Sequence, residues 1–123
     1  MKRKWQVNIV NHEESVLIVF RVQKSTMEKA KMIFRQERFP MSTATRLFLL
    51  NASKKKTFPF EMPCQNHLYE KNLTAVSSIR ISKSDRNQVK EAFSEMGVPV
   101  SEAVRQFYLQ VIAKGYLPLA WLG

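Results

Sequence analysis

Arg21 and Gln23 stand two apart in Phe20-Arg21-Val22-Gln23, and Arg80 and Ser82 stand two apart in Ile79-Arg80-Ile81-Ser82. Alternate residues of an extended strand share a face, so these polar side chains project from one side. Phe20, Val22, Ile79 and Ile81 project from the other. Arginine pairs bidentately with guanine, glutamine with adenine and serine with either, and a two-stranded ribbon fits the major groove of B-DNA. Arg21, Gln23, Arg80 and Ser82 are therefore the candidates for reading base edges. One solvated strand carries such residues without any ligand. Two such strands in one small chain shift the balance towards recognition.

Other chemistry is poorly provided for. His12 and His67 are the only histidines, and Cys64 with His67 forms a lone Cys-x-x-His, short of the ligands a zinc site needs. The glycines, Gly97, Gly115 and Gly123, cannot build a phosphate loop. No nucleophile elbow, paired catalytic carboxylates or cofactor fingerprint is present, so neither an enzyme nor a cofactor or metal is expected.

The elements that position the four side chains come from an internal repeat. A shift of 59 positions aligns residues 20–60 with 79–119 without a gap and gives thirteen identical pairs, among them Arg21/Arg80, Phe34/Phe93, Pro40/Pro99, Ser42/Ser101, Arg46/Arg105 and Phe48/Phe107. Each copy reads as a strand and two helices. Ser25 and Ser84 suit the N-caps of the first helices, and Ser42 and Ser101 those of the second, after Pro40 and Pro99. Gly97 ends a helix where the first copy has Arg38.

A unit of about 40 residues with one strand leaves backbone groups unpaired and buries too little apolar area to stand alone. The economical arrangement pairs the two strands antiparallel within one chain and covers their apolar face with four helices. The expected fold is mostly α with a short β-ribbon, β-α-α twice, forming an intrachain pseudo-dimer. Its parts are an extension over 1–18 (an arm or hairpin), a first unit over 19–60, a linker over 61–77 and a second unit over 78–123, with the units folding together. Exchange of strands between two chains uses the same contacts. Helix N-termini beside such a ribbon offer free amides to phosphate, which nominates Ser42, Thr43 and Ser101, with Lys24 and Lys83 close by. Lys2, Arg3 and Lys4 form a basic arm suited to phosphate or a minor groove.

The pattern resembles the ribbon-helix-helix superfamily, and within it RelB/DinJ-type antitoxins. The resemblance rests on Phe20-Arg21-Val22 with Lys24-Ser25, on Phe39-Pro40-Met41-Ser42-Thr43-Ala44-Thr45-Arg46-Leu47-Phe48-Leu49, and on Thr57-Phe58-Pro59-Phe60, with their counterparts in the second copy. It covers about two-thirds of the chain and implies sequence-specific duplex DNA binding, operon repression and, in antitoxins, neutralisation of an RNA-cleaving toxin by a C-terminal tail. Two departures matter. Both units lie in one chain, as in TraY-like plasmid-transfer factors, and little sequence follows the second unit, so no toxin-wrapping tail is expected. The expectation is thus a transcriptional repressor or autoregulator, with an antitoxin acting by protein binding, or a plasmid-transfer accessory factor, as the alternative. Partners follow: double-stranded DNA, a toxin protein under the alternative, and further copies of the chain on an operator.

Composition agrees with a polyanion partner. The 123 residues hold 20 Lys+Arg and 10 Asp+Glu, a formal net charge of +10. The excess is lopsided, with 13 basic and 4 acidic residues in 1–60 against 7 and 6 in 61–123. The first copy, with Lys54, Lys55 and Lys56, is therefore expected to make most phosphate contacts. The longest apolar run, Val16 to Phe20, is far too short to span a bilayer, so no membrane association is expected. With one cysteine no intrachain disulfide can form, and a cytoplasmic, nucleoid-associated protein is expected.

Overall fold

The computed structural model describes residues 14–62 and 72–123. The element order is β1 (Ser15–Val22), α1 (Lys24–Gln36), α2 (Met41–Lys55), β2 (Ala75–Ser82), α3 (Lys83–Met96) and α4 (Val100–Lys114), closed by a 3-10 turn at Leu119–Leu122. It is a mostly helical chain around one two-stranded antiparallel sheet.

Alternation accounts for the strands. Val16, Ile18, Phe20 and Val22 turn inward on β1, and Ala75, Ser77, Ile79 and Ile81 on β2. Both strands start earlier than the repeat suggests, β1 at Ser15 and β2 at Ala75, ahead of the unit boundaries expected at 19 and 78. The cause is pairing. Val16 lies opposite Ile81 and Ile18 opposite Ile79, while the serine-rich stretch before Ile79 is held by Phe20 and Val22. In this register Val19 faces Ser78, its own counterpart 59 positions on.

The helices pack crosswise. α1 lies against α4, and α2 against α3. The core gathers Phe20, Val22, Phe34, Phe48, Ile79, Ile81, Phe93 and Phe107. Phe48 and Phe107, also 59 apart, stack with centroids 4.4 Å apart and planes 3° from parallel. Parallel rings at this separation are offset, an arrangement that ring quadrupoles favour, and both rings are fully buried. Phe34 and Trp121 tilt against Phe107 from either side.

The helix caps differ from expectation. Pro40 and Pro99 occupy the N-cap positions of α2 and α4 without a side-chain bond, so Ser42 and Ser101 lie one turn-step inside the helices rather than capping them. Proline suits a position whose amide would have no helical acceptor. Ser25 and Ser84 likewise lie inside α1 and α3, because Gln23 and Ser82 are the N-caps. At the C-caps the second half uses glycine, Gly97 at φ 74° and Gly115 at φ 81°. The matching residues of the first half are Arg38 at φ 57° and Lys56 at φ 55°. Each costs about 1–2 kcal/mol relative to a right-handed conformation, and each places a cation near a helix C-terminus.

One polar cluster lies in the core. The Tyr108 hydroxyl is 2.7 Å from Ser77 Oγ and 2.8 Å from Thr45 Oγ1, and Thr45 donates to the Met41 carbonyl at 2.9 Å. With the Thr45 proton committed, Tyr108 donates to Thr45 and Ser77 donates to Tyr108, so one directed chain ties β2, α4 and α2. The positions matching Ser77, Tyr108 and Thr45 are Ile18, Leu49 and Val104, all apolar.

Burial raises the Tyr108 pKa, against the lowering effect of the Ser77 and Thr45 hydrogen bonds. A folded pKa above the unfolded value stabilises the fold fully below about pH 10, and that stability is lost as pH rises through the folded pKa. Tyr108→Phe should cost about 1–3 kcal/mol at neutral pH by stripping Ser77 of its acceptor. The gap between the two proteins should narrow above about pH 10. Urea midpoints across that range test this, and parallel decline of both proteins would dismiss the cluster as a stabilising unit.

Candidate nucleic-acid interface

The face of the ribbon turned away from the helices carries eight side chains at four cross-strand levels. Ser15 lies opposite Ser82, Leu17 opposite Arg80, Val19 opposite Ser78, and Arg21 opposite Val76. All but the half-buried Ser82 are exposed. The two sequence-nominated arginines thus share this face, Arg21 at one end and Arg80 one level in from the other, where its Nη1 donates to Ser15 Oγ at 3.4 Å. About 13 Å separates the two arginine levels, from a strand rise of about 3.3 Å per residue.

Each arginine's strand is gripped from behind. Arg105 Nη1 on α4 donates to the Arg21 carbonyl at 3.0 Å, and Arg46 Nη1 on α2 donates to the Arg80 carbonyl at 3.4 Å. These two arginines are 59 positions apart, and each reaches the strand of the other half. Arg105 is further fixed by Glu102, at 3.1 Å from Nη2, and the other Glu102 oxygen accepts from Gln106 at 2.9 Å. Arg46 has Thr43 and Leu47 at the matching positions. The Arg21 backbone is therefore held more tightly than that of Arg80.

The other two nominated readers lie at the strand ends. Gln23 has left the strand and is the half-buried N-cap of α1, its carbonyl accepting from Met27 at 3.0 Å. Ser82, the last residue of β2, accepts from the Asp85 amide at 3.1 Å as the N-cap of α3. The outward positions that sequence reasoning missed are Leu17, Val19, Val76 and Ser78. All four keep the parity of Arg21 and Arg80, and the sequence from Ser15 to Val19 itself reads as extended, but Val76 falls in the stretch expected as linker.

The phosphate candidates divide by half. Ser42 is exposed and Thr43 half-buried in the first turn of α2, where helix amides lack intrahelical acceptors and no acid is present. An open cleft at this helix start is lined by Lys31, Arg35 and Arg38. Ser101 holds the same place on α4, yet Glu102 beside it adds a carboxylate that disfavours an anion. The residues matching Lys31, Arg35 and Arg38 are Lys90, Ser94 and Gly97. Lys24 is exposed at the start of α1, and Lys83 at the start of α3 lies 3.5 Å from the Glu14 carboxylate. Lys2, Arg3 and Lys4 lie outside the described residues, as do His12, Cys64 and His67.

The lysine run is far from this site. Lys54 and Lys55 end α2, about 20 Å along the axis from its start. Lys56 is bonded to Glu95 at 2.7 Å, which raises its pKa through that hydrogen bond and charge. Among the described residues no helix is long and apolar enough to cross a membrane. Comparison with protein-family models, with curated proteins and with solved structures finds no match to this chain.

Proposed function

We propose that the chain binds duplex DNA sequence-specifically by laying its ribbon in the major groove, and that it acts as a repressor or autoregulator. The observation that carries this is the ribbon face, exposed among the described residues, that carries Arg21 and Arg80, each backbone held by an arginine from the opposite half. The reading includes the tandem ribbon-helix-helix assignment, with the two halves related by a pseudo-two-fold axis. Its support is the coincidence of Val19 facing Ser78 and Phe48 stacking on Phe107, each residue against its own counterpart. The ribbon is then only pseudo-symmetric, so one molecule prefers an asymmetric site and a full operator takes two.

A second reading has support of its own. Leu17, Val19 and Val76 are each about half exposed, at 54%, 53% and 51%, and a partner protein such as a toxin would cover them. Salt separates the two readings. Binding to a pool of random duplexes should weaken steeply with salt, because each neutralised phosphate contributes about −0.9 to the slope of log affinity against log salt. Replacing Lys31→Gln, Arg35→Gln and Arg38→Asn together should flatten that slope by about 2–3, and Lys54→Gln with Lys55→Gln should leave it nearly unchanged. Absence of duplex binding, or a slope near zero, would favour the protein partner.

A further inference from the structure

The apolar half of the ribbon face is unusual for a surface meant to be solvated. Three large apolar side chains stand out from it, and no carboxylate stands among the eight. An exposed cluster of this kind has an occupant of matching chemistry. The cations around it say what kind. Arg21 and Arg80 share the face, and Arg86 and Lys90 line an open cleft together with Leu17 and Val19. The occupant is therefore strongly anionic at its edges and apolar at its centre.

In the major groove the only apolar group a base pair presents is the C5 methyl of thymine. We propose that Leu17, Val19 and Val76 read thymine methyls, so that the preferred duplex carries thymines beside and between the guanines read by Arg21 and Arg80. This rests on the DNA-binding reading above. The levels set the layout. Leu17 sits across from Arg80 and Val76 across from Arg21, so each arginine level pairs one guanine reader with one methyl reader. The roughly 13 Å between these two levels corresponds to about four base pairs at 3.4 Å each. Val19 places a third methyl contact in the middle, and Ser78 beside it accepts either base type.

The test uses a duplex selected from random sequence and its twin with deoxyuridine in place of every thymine of the selected site, which removes the methyls and changes no hydrogen-bonding group. Affinity of the full chain should fall about fourfold for each contacted methyl, the effect of one buried carbon. Leu17→Ala with Val76→Ala should bind the thymine duplex more weakly and discriminate much less between the twins. Equal binding of the twins by the unaltered protein overturns methyl reading while leaving DNA binding intact. Undiminished discrimination by the variant overturns the assignment to these residues. Failure to select any duplex overturns the reading on which both depend, and a free protein that dimerises through this face, losing the dimer on Leu17→Ser, identifies a second copy as the occupant instead.

Discussion

Phe107→Ala should remove about 3–5 kcal/mol of stability, the usual cost of deleting a fully buried aromatic ring. A domain of this kind holds only about 5–15 kcal/mol in all, so the variant sits near the edge of folding. The reason is position. Phe107 has no exposed surface and touches Phe34, Phe48, Tyr108 and Trp121, which come from α1, α2, α4 and the terminal 3-10 turn. Its removal opens a void that no single element can close, because its neighbours are fixed by other packing. Thermal or urea unfolding measures the loss. Phe48→Ala should behave alike, and the double variant should lose less than the two losses added, by about 0.5–1.5 kcal/mol for the shared ring contact. Phe58→Ala is the comparison, since that ring is only half-buried and should cost less. A Phe107→Ala protein within about 1 kcal/mol of the parent would contradict a core centred on this stack.

Arg21→Ala combined with Arg80→Ala should abolish sequence preference while leaving the fold intact. Each bidentate contact to guanine discriminates by about 1–3 kcal/mol, so the pair should lower affinity for the selected duplex by roughly a hundredfold or more. Both side chains are exposed, and it is their carbonyls, retained in alanine, that Arg105 and Arg46 hold. Unfolding midpoints should therefore be unchanged. The diagnostic is the ratio of selected to random duplex affinity. If both affinities fall together, the two arginines hold phosphates and the specificity resides elsewhere on the ribbon. Arg80→Ala alone should be the milder change, since its backbone is held at 3.4 Å without a carboxylate behind the donor.

The alternation of Phe20 to Val22 and Ile79 to Ile81 was enough to place a ribbon with an apolar inner face, and the 59-residue offset placed four helices after it. What it left out depends on contacts between the halves. Ser77 falls in the stretch expected as linker and becomes strand because Phe20 lies opposite. Gln23 looks like an outward strand residue until the following helix begins at Lys24 and takes it as a cap, and Ser82, still paired with Ser15, turns its hydroxyl to the Asp85 amide. Lys54 to Lys56 dominate the charge pattern in the sequence, yet a helix 15 residues long carries them away from the ribbon. Lys31, Arg35 and Arg38 form no conspicuous run, and only the turn into α2 gathers them at one cleft. The Tyr108 cluster was invisible for the same reason, since Thr45 and Tyr108 are 63 residues apart.

The pairing of β1 with β2 also sets when the chain can fold. Partners in the ribbon are separated by between 53 residues, for Val22 and Ala75, and 67, for Ser15 and Ser82. During synthesis the first half emerges complete at Lys55 and must wait for α4, which ends at Lys114. At about 5–20 residues per second that wait lasts roughly 3–12 seconds. Throughout it, Phe34 and Phe48 lack the Phe107 ring of their own chain. On a crowded polysome the nearest complementary surface is the first half of a neighbouring nascent chain. Such a mispaired product would bring Thr45 against Leu49 and Ile18 in place of Tyr108 and Ser77, leaving the threonine without its hydroxyl neighbours. The completed chain, which brings the three hydroxyls together, is therefore the better partner for its own first half.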